Sequence, residues 1–318
     1  MSILKDFPKS PVTGSKNIRS VDTFAVSDIV RLYREQENVA VEKYFRHGEN
    51  VYLLECEDTK YRFFYPFEIA GDEDFYNDLK REIEKKGLDY DRDWSDDHEF
   101  ALENIEENEK ILEIGCNTGK FLGKISERTK NVTGLEFNPV AAEAAKAKGL
   151  KVINESIEAH ANLHENEYDV VCAFQVLEHV TEIRSFISSA VKTLKVGGKL
   201  IFSVPNNEPY FQRFGKYEVL NLPPHHVGLW NLESFRKLCG FYDVELVKHY
   251  YSGATTLIGE TYLRAKYIAD VKSLARRHSL AEKVKIYLTA PLAGIRNVID
   301  KLGKKSNYAH ITVVFSKK

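Results

Sequence analysis

From residue 110 onward the chain repeats one grammar, strand then loop then helix, and this repeat restricts the fold more than any other feature of the sequence. Short apolar runs at 110–114, 131–135, 151–153, 168–174 and 199–204 read as strands. Between them lie helical stretches at 119–128, at 138–148, which is rich in alanine, and at 181–194, the last of them stopped by Gly197 and Gly198. Strands and helices alternating at this length predict a mostly parallel sheet with helices on both faces, an α/β Rossmann-like fold. Two further strands, at 243–249 and 309–315, bring the expected sheet to seven.

The rest of the chain is organised around that domain. Residues 1–70 read as a small β-rich module of short strands and turns, with strand-like runs at 51–56 and 61–65. Residues 71–318 then form the main domain, opening with acidic helices over 72–108 and carrying a helical insertion at about 254–307. Charge is uneven. Sixteen Asp and Glu face five Lys and Arg between 68 and 108, and eleven Lys and Arg face three acidic residues between 261 and 305. Two solvated helical faces account for this, or a basic surface for an anionic partner. The formal net charge of −2 gives no general reason to expect nucleic acid. The four cysteines, Cys56, Cys116, Cys172 and Cys239, form no Cys-x-x-Cys pair, and no run approaches a membrane span, so a reducing, cytoplasmic location is expected.

Chemistry concentrates at the ends of the strands. Leu112-Glu113-Ile114-Gly115-Cys116-Asn117-Thr118-Gly119 joins the first strand of the repeat to its helix through small residues that let a ligand approach the backbone. The second strand ends in Leu135-Glu136, where a carboxylate can accept hydrogen bonds from both hydroxyls of a ribose, and Phe137 follows it. Nicotinamide enzymes share both features but place a G-x-G-x-x-G loop there. Here the spacing is G-x-x-x-G, with Asn117 at the middle position, and Asn tolerates the positive φ such a turn needs.

With these motifs in order, the sequence resembles the class I methyltransferases that use S-adenosylmethionine (SAM). Glu113, Gly115 and Gly119 match the family's first motif, and the segment from Asp169 to Val180 matches its fourth. The resemblance implies SAM as cofactor, held by Glu113, Gly115, Cys116, Asn117, Gly119, Glu136 and Phe137. It adds Glu155, Ser156 and Ile157 against the adenine, with Phe174 and Gln175 at the end of the fourth strand. The wording around 155–161 and 176–180 looks especially like quinone O-methyltransferases. Some of those carry E-V-L-E-H, proposed as a metal site. Gln175 stands at its first position here, and no metal is expected.

An alcohol or phenol acceptor must lose a proton, and three histidines are candidates for the base: His179, beside Glu178, and the pair His225 and His226. The pair follows Pro223 and Pro224, in a segment similar to one in methyltransferases of saccharide pathways. Each histidine has a plainer reading as a hydrogen-bonded brace, and a two-histidine metal site lacks an evident third ligand. Turnover through an unperturbed base would rise near pH ~6.5. Tyr210, Phe211, Phe214, Tyr217 and Trp230 either wall an acceptor or pack a core. Ser10, Thr13, Cys56 and Thr59 stand where some related enzymes carry a zinc ribbon, with three cysteines missing. The expected activity is O-methylation of a small molecule, saccharide or lipid-linked precursor. A homodimer or weak contact between the 254–307 insertion and an anionic membrane would fit its basic, apolar second helix. The rivals are a SAM-binding scaffold without catalysis and a nicotinamide-dependent oxidoreductase.

Overall fold

The computed structural model describes residues 7–46, 48–87, 94–207, 218–254 and 308–318. The insertion at 254–307 therefore falls, from 255 on, outside the described residues, as do Tyr210, Phe211, Phe214 and Tyr217. None of the described helices is long and apolar enough to cross a membrane.

The repeat forms the expected sheet. β4 (Ile111–Ile114), β5 (Val132–Leu135), β6 (Val152–Ile153), β7 (Tyr168–Phe174) and β8 (Leu194–Pro205) are parallel neighbours, and β10 (Val244–Ala254) and β11 (Tyr308–Lys317) complete seven strands. Spatial order is β10-β11-β8-β7-β4-β5-β6, with β11 antiparallel to both β8 and β10. Strand order reverses at β4, which is followed in sequence by β5 on one side and flanked by β7 on the other. The fold thus sets the carboxyl ends of β4 and β7 at the place where open α/β sheets bind ligands.

The flanking helices are α3 (Asp96–Glu103), α4 (Lys120–Ile125), α5 (Pro139–Ala147), α6 (Ile157–His160), α7 (Ile183–Thr193) and α8 (Leu232–Leu238), all numbered in chain order after α1 and α2, which are described below. Their starts follow from the sequence. Asn138 caps α5 by accepting from the Val140 and Ala141 N–H groups, and Pro139 takes the first helical position, where a missing N–H costs nothing. Gly197 and Gly198 do not stop α7. It ends at Thr193, and the glycines lie within β8, where the pairing shifts between Tyr168↔Leu194 and Val170↔Lys199. Positive φ at Gly197 suits this irregularity better than a helix end.

The N-terminal region holds more helix than the sequence led us to expect. β1 (Ile18–Ala25), β2 (Asn50–Cys56) and β3 (Arg62–Tyr65) make an antiparallel sheet, but α1 (Val26–Gln36) lies between β1 and β2 and buries Ile29, Leu32 and Tyr33. The fourth strand of this sheet, β9 (Gly228–Leu229), comes from much later in the sequence, just after the paired histidines, and pairs with β3. α2 (Glu73–Lys85) buries Phe75 and Leu79 in the core of this region. The small sheet and the histidine loop are thereby parts of one hydrogen-bonded structure.

Candidate active site

The glycine loop leaves β4 and turns back under β5. The N–H groups of Gly115 and Cys116 both donate to Leu135 O, at 2.8 and 3.0 Å. Gly115, Asn117 and Gly119 all have positive φ, the Asn117 value of 47° being one that Asn tolerates. A Cβ on Gly115 would lie 2.7 Å from Val176 Cγ2, so this glycine lets the turn after β7 close onto the loop. The Glu136 carboxylate is pinned at the end of β5: Oε2 accepts from Asn117 N–H at 2.8 Å and Oε1 from Asn138 N–H at 2.7 Å. Asn154 Nδ2 donates to the carbonyls of Glu136 and Phe137, and the Phe137 ring is exposed.

The remaining residues expected around a cofactor divide by where their side chains go. Cys116 turns its thiol into the core beneath Gly134, where burial pushes its pKa up, so only its backbone is left for a ligand. Ile157 is core, and Ser156 spends its hydroxyl capping α6. Glu155 accepts from His160 Nδ1 at 2.6 Å, and the other ring nitrogen of His160 meets the Tyr168 hydroxyl at 2.8 Å. Gln175 has positive φ and reaches away to Ser203, with Nε2 3.4 Å from its hydroxyl. Phe174 packs on Phe121 and on His98, with ring centroids 4.6 and 4.7 Å apart.

These groups fit SAM. Burial drives the Glu113 carboxyl well above the usual carboxylate range, against the pull of the Leu122 backbone, and its Oε2 has no hydrogen-bond partner among the described residues. A buried polar atom without a partner is costly, and a donor supplied by a ligand would satisfy it. The close approach at Gly115 and the fixed carboxylate of Glu136 complete a strand-end cradle suited to a ribose with its attached chain.

The three histidines come together. His179 ends a 3₁₀ turn that starts one residue after Val176, and His225 and His226 leave the loop that leads into β9. Ring centroids lie 4.8 Å apart for His179 and His225, 4.9 Å for His179 and His226, and 4.5 Å for the pair. His179 Nδ1 lies 2.7 Å from His225 O, and His225 Nδ1 lies 2.8 Å from Leu220 O. A carbonyl oxygen only accepts, so both Nδ1 atoms carry their protons. His226 Nδ1 faces Asn221 Oδ1 at 3.3 Å, and the orientation of that amide is set by its Nδ2, which donates to Asn207 Oδ1 at 3.1 Å. All three rings therefore keep a lone pair on Nε2. Burial lowers the His179 pKa to about 4 and that of His225 to about 3, with His226 pushed well below its usual value. The rings are neutral at pH 7, and an inflection near 6.5, expected for an unperturbed histidine, moves down to about 4 for His179.

Sequence reasoning missed several neighbours. The Tyr76 hydroxyl on α2 lies 3.1 Å from His179 Nδ1 and 3.3 Å from His225 O. Tyr33, fully buried on α1, places its hydroxyl 2.7 Å from Val219 O and 2.8 Å from Leu222 O, bracing the histidine loop. On α3, His98 lies between Trp94 and Phe174, and the buried Asp97 accepts from the Ser203 hydroxyl at 2.6 Å. No local periodicity marks these residues as parts of a site. Of the two readings of Trp230, the structure takes core packing: it is wholly buried just after β9, 4.3 Å from Tyr61 and 4.9 Å from Phe235 between ring centroids. The ribbon positions do meet. Thr13 Oγ1 lies 3.9 Å from Cys56 Sγ, and while burial pushes that thiol up, the hydroxyls of Thr59 and Ser10 outweigh it and leave its pKa lowered.

A family model described as a methyltransferase domain matches residues 87–249, which spans the glycine loop, Glu136 and all three histidines. The chain belongs to the methyltransferase-domain family. The methyltransferase is 35% identical over 127 residues to a ubiquinone biosynthesis O-methyltransferase of Hydrogenovibrio crunogenus, covering 37% of this chain and 53% of that protein. It is 32% identical over 103 residues to the protein of the same name from Pectobacterium atrosepticum, covering 30% of this chain and 43% of that one. The methyltransferase thus spans about half the length of the curated relatives it matches. A SAM dependent methyltransferase from Archaeoglobus fulgidus superposes with a TM-score of 0.48 at 14% identity, over 69% of this chain and 90% of that one, a loose likeness.

Proposed function

We propose that this methyltransferase moves the methyl group of SAM onto a hydroxyl oxygen of a small molecule, with the histidine cluster handling the proton of that hydroxyl. One observation carries the reading. Three neutral rings with Nε2 lone pairs sit next to the turn whose Val176 packs on the glycine loop. SAM supplies an activated methyl on a sulfonium. Gly115 and Glu136 hold the donor at the strand ends, the histidine loop places the acceptor opposite, and such alignment is worth up to ~7–11 kcal/mol in well-oriented reactions. As the acceptor oxygen bonds to the methyl carbon, the carbon–sulfur electron pair returns to sulfur, leaving S-adenosylhomocysteine, and the hydroxyl proton passes to Nε2 of one ring.

The relatives named for ubiquinone biosynthesis support a small acceptor. A saccharide or a lipid-linked precursor is the narrower class we favour, in a cytoplasmic protein that meets anionic lipid or a second copy of itself through the basic insertion. Acceptor panels scored by release of S-adenosylhomocysteine test the reaction. Competition between SAM and NAD tests the cofactor site, and displacement of SAM by NAD would restore the oxidoreductase reading. SAM binding without turnover on any hydroxyl acceptor would leave a scaffold. Sedimentation with anionic and neutral vesicles at low salt tests the membrane contact.

A further inference from the structure

We propose that His179, His225 and His226 form a three-histidine site for a divalent transition metal of the zinc class. One ring nitrogen from each residue lies within 4.8 Å of those of the other two. Zinc–nitrogen bonds of about 2.0–2.1 Å place the nitrogens of a tetrahedral site roughly 3.3 Å apart, so closure requires small rotations of the rings. The tautomers are already those of metal ligands. Among the described residues the hydrogen bonds of the three rings all run through Nδ1, to His225 O, Leu220 O and Asn221 Oδ1. Ligating histidines commonly donate their second N–H to a carbonyl or amide oxygen, which fixes ring orientation and raises basicity. Asn221 is in turn held by Asn207.

Charge and access also suit a cation. The buried Glu178 places Oε1 3.8 Å from His179 Nε2, so an acidic side chain lies beside the three imidazoles. His179 and His225 keep part of their surface accessible, so the cluster has an open side. Three imidazoles with one open position is the ligand count of catalytic zinc sites. The set also differs from the E-V-L-E-H arrangement, because Gln175 turns to Ser203 and takes no part. The third ligand, which the paired histidines lacked in the sequence, is supplied by His179 from 46 residues away. A hydroxyl coordinated there would lose its proton to solvent more easily, and the three Nε2 atoms would then serve as ligands instead of bases. This replaces the role of the rings as bases, keeps the methyltransferase reading and rests on it for its purpose.

The test is metal titration of the full chain, purified with chelator, using Zn²⁺, Co²⁺, Mn²⁺ and Fe²⁺ in separate calorimetric runs. SAM affinity is measured on the same samples. We expect one equivalent of Zn²⁺ or Co²⁺ per chain, with a visible Co²⁺ spectrum of nitrogen ligation. H179Q, H225Q and H226Q should each weaken binding by roughly 100-fold while SAM affinity stays within threefold. N221A touches no ligand atom and should weaken it by roughly 10-fold. Because buried His226 variants could misfold, circular dichroism accompanies each, and N221A carries the test if they do. The proposal is overturned by no stoichiometric binding of any of the four ions, or by binding that survives H179Q and N221A. SAM binding without metal binding would reject the metal and leave the methyltransferase reading intact. Metal binding without SAM binding would do the reverse.

Discussion

Replacing Glu136 by Gln tests the donor site at a point where shape is kept and hydrogen-bond polarity is not. The two carboxylate oxygens accept from two different backbone N–H groups, Asn117 at 2.8 Å and Asn138 at 2.7 Å. An amide has one oxygen, so its NH₂ must face one of those donors whichever way it turns. One charge-assisted bond is lost outright, worth about 1.5–3 kcal/mol, and the half-buried position argues for the lower part of that range. The variant also weakens the hydrogen bonds that the carboxylate would accept from the hydroxyls of a bound ribose. A total near 1.5–3 kcal/mol corresponds to a roughly 10- to 150-fold loss of SAM affinity. Calorimetric titration with SAM and S-adenosylhomocysteine measures it, with thermal melts to confirm that the fold survives. Both ligands should lose affinity alike, because neither the methyl nor the sulfur is involved. Affinities within threefold of the parent, in a folded variant, would refute Glu136 as the anchor of the loop and the cofactor.

Tyr33→Phe removes the hydroxyl that braces Val219 O and Leu222 O, and should lower stability by about 1–2 kcal/mol in urea unfolding. An unchanged midpoint would mean that the loop does not depend on α1. The buried histidines set an acid limit. Their folded pKa values lie below 6.5, to about 4 for His179, so the unfolded chain binds protons first and stability present above pH 6.5 is lost as pH falls toward 4. The loss is on the order of 3 kcal/mol from His179 alone, and equal urea midpoints at pH 7 and pH 5 in metal-free protein would contradict burial as the cause. Cys56→Ser should leave metal content unchanged, since the cluster of Ser10, Thr13, Cys56 and Thr59 offers one thiol only. Elemental analysis showing zinc that disappears with Cys56 would reverse that.

Much of the main domain was written locally. Each parallel strand is a short apolar run and each turn has its own glycine or cap, so β4 to β8 and the Gly115–Gly119 loop could be read without knowing their neighbours. Glu136 was legible for the same reason, as the residue at the end of the second strand of the repeat. Helix α1 was legible in principle, since Val26, Ile29, Val30 and Tyr33 follow helical spacing, but it lies among strand-like runs and read as one of them. What no local pattern carries is the meeting of distant segments. β9 joins residues 228–229 to the small sheet, and that pairing buries Trp230, brings Tyr33 and Tyr76 to the histidine loop and sets His225 beside His179. The sequence by itself determined the half of the site proposed to hold the donor, because a strand-end loop is specified by adjacent residues. The half proposed to meet the acceptor was decided by tertiary structure, because hydrogen bonds between residues 33, 76, 179 and 225 exist only after the two sheets have packed.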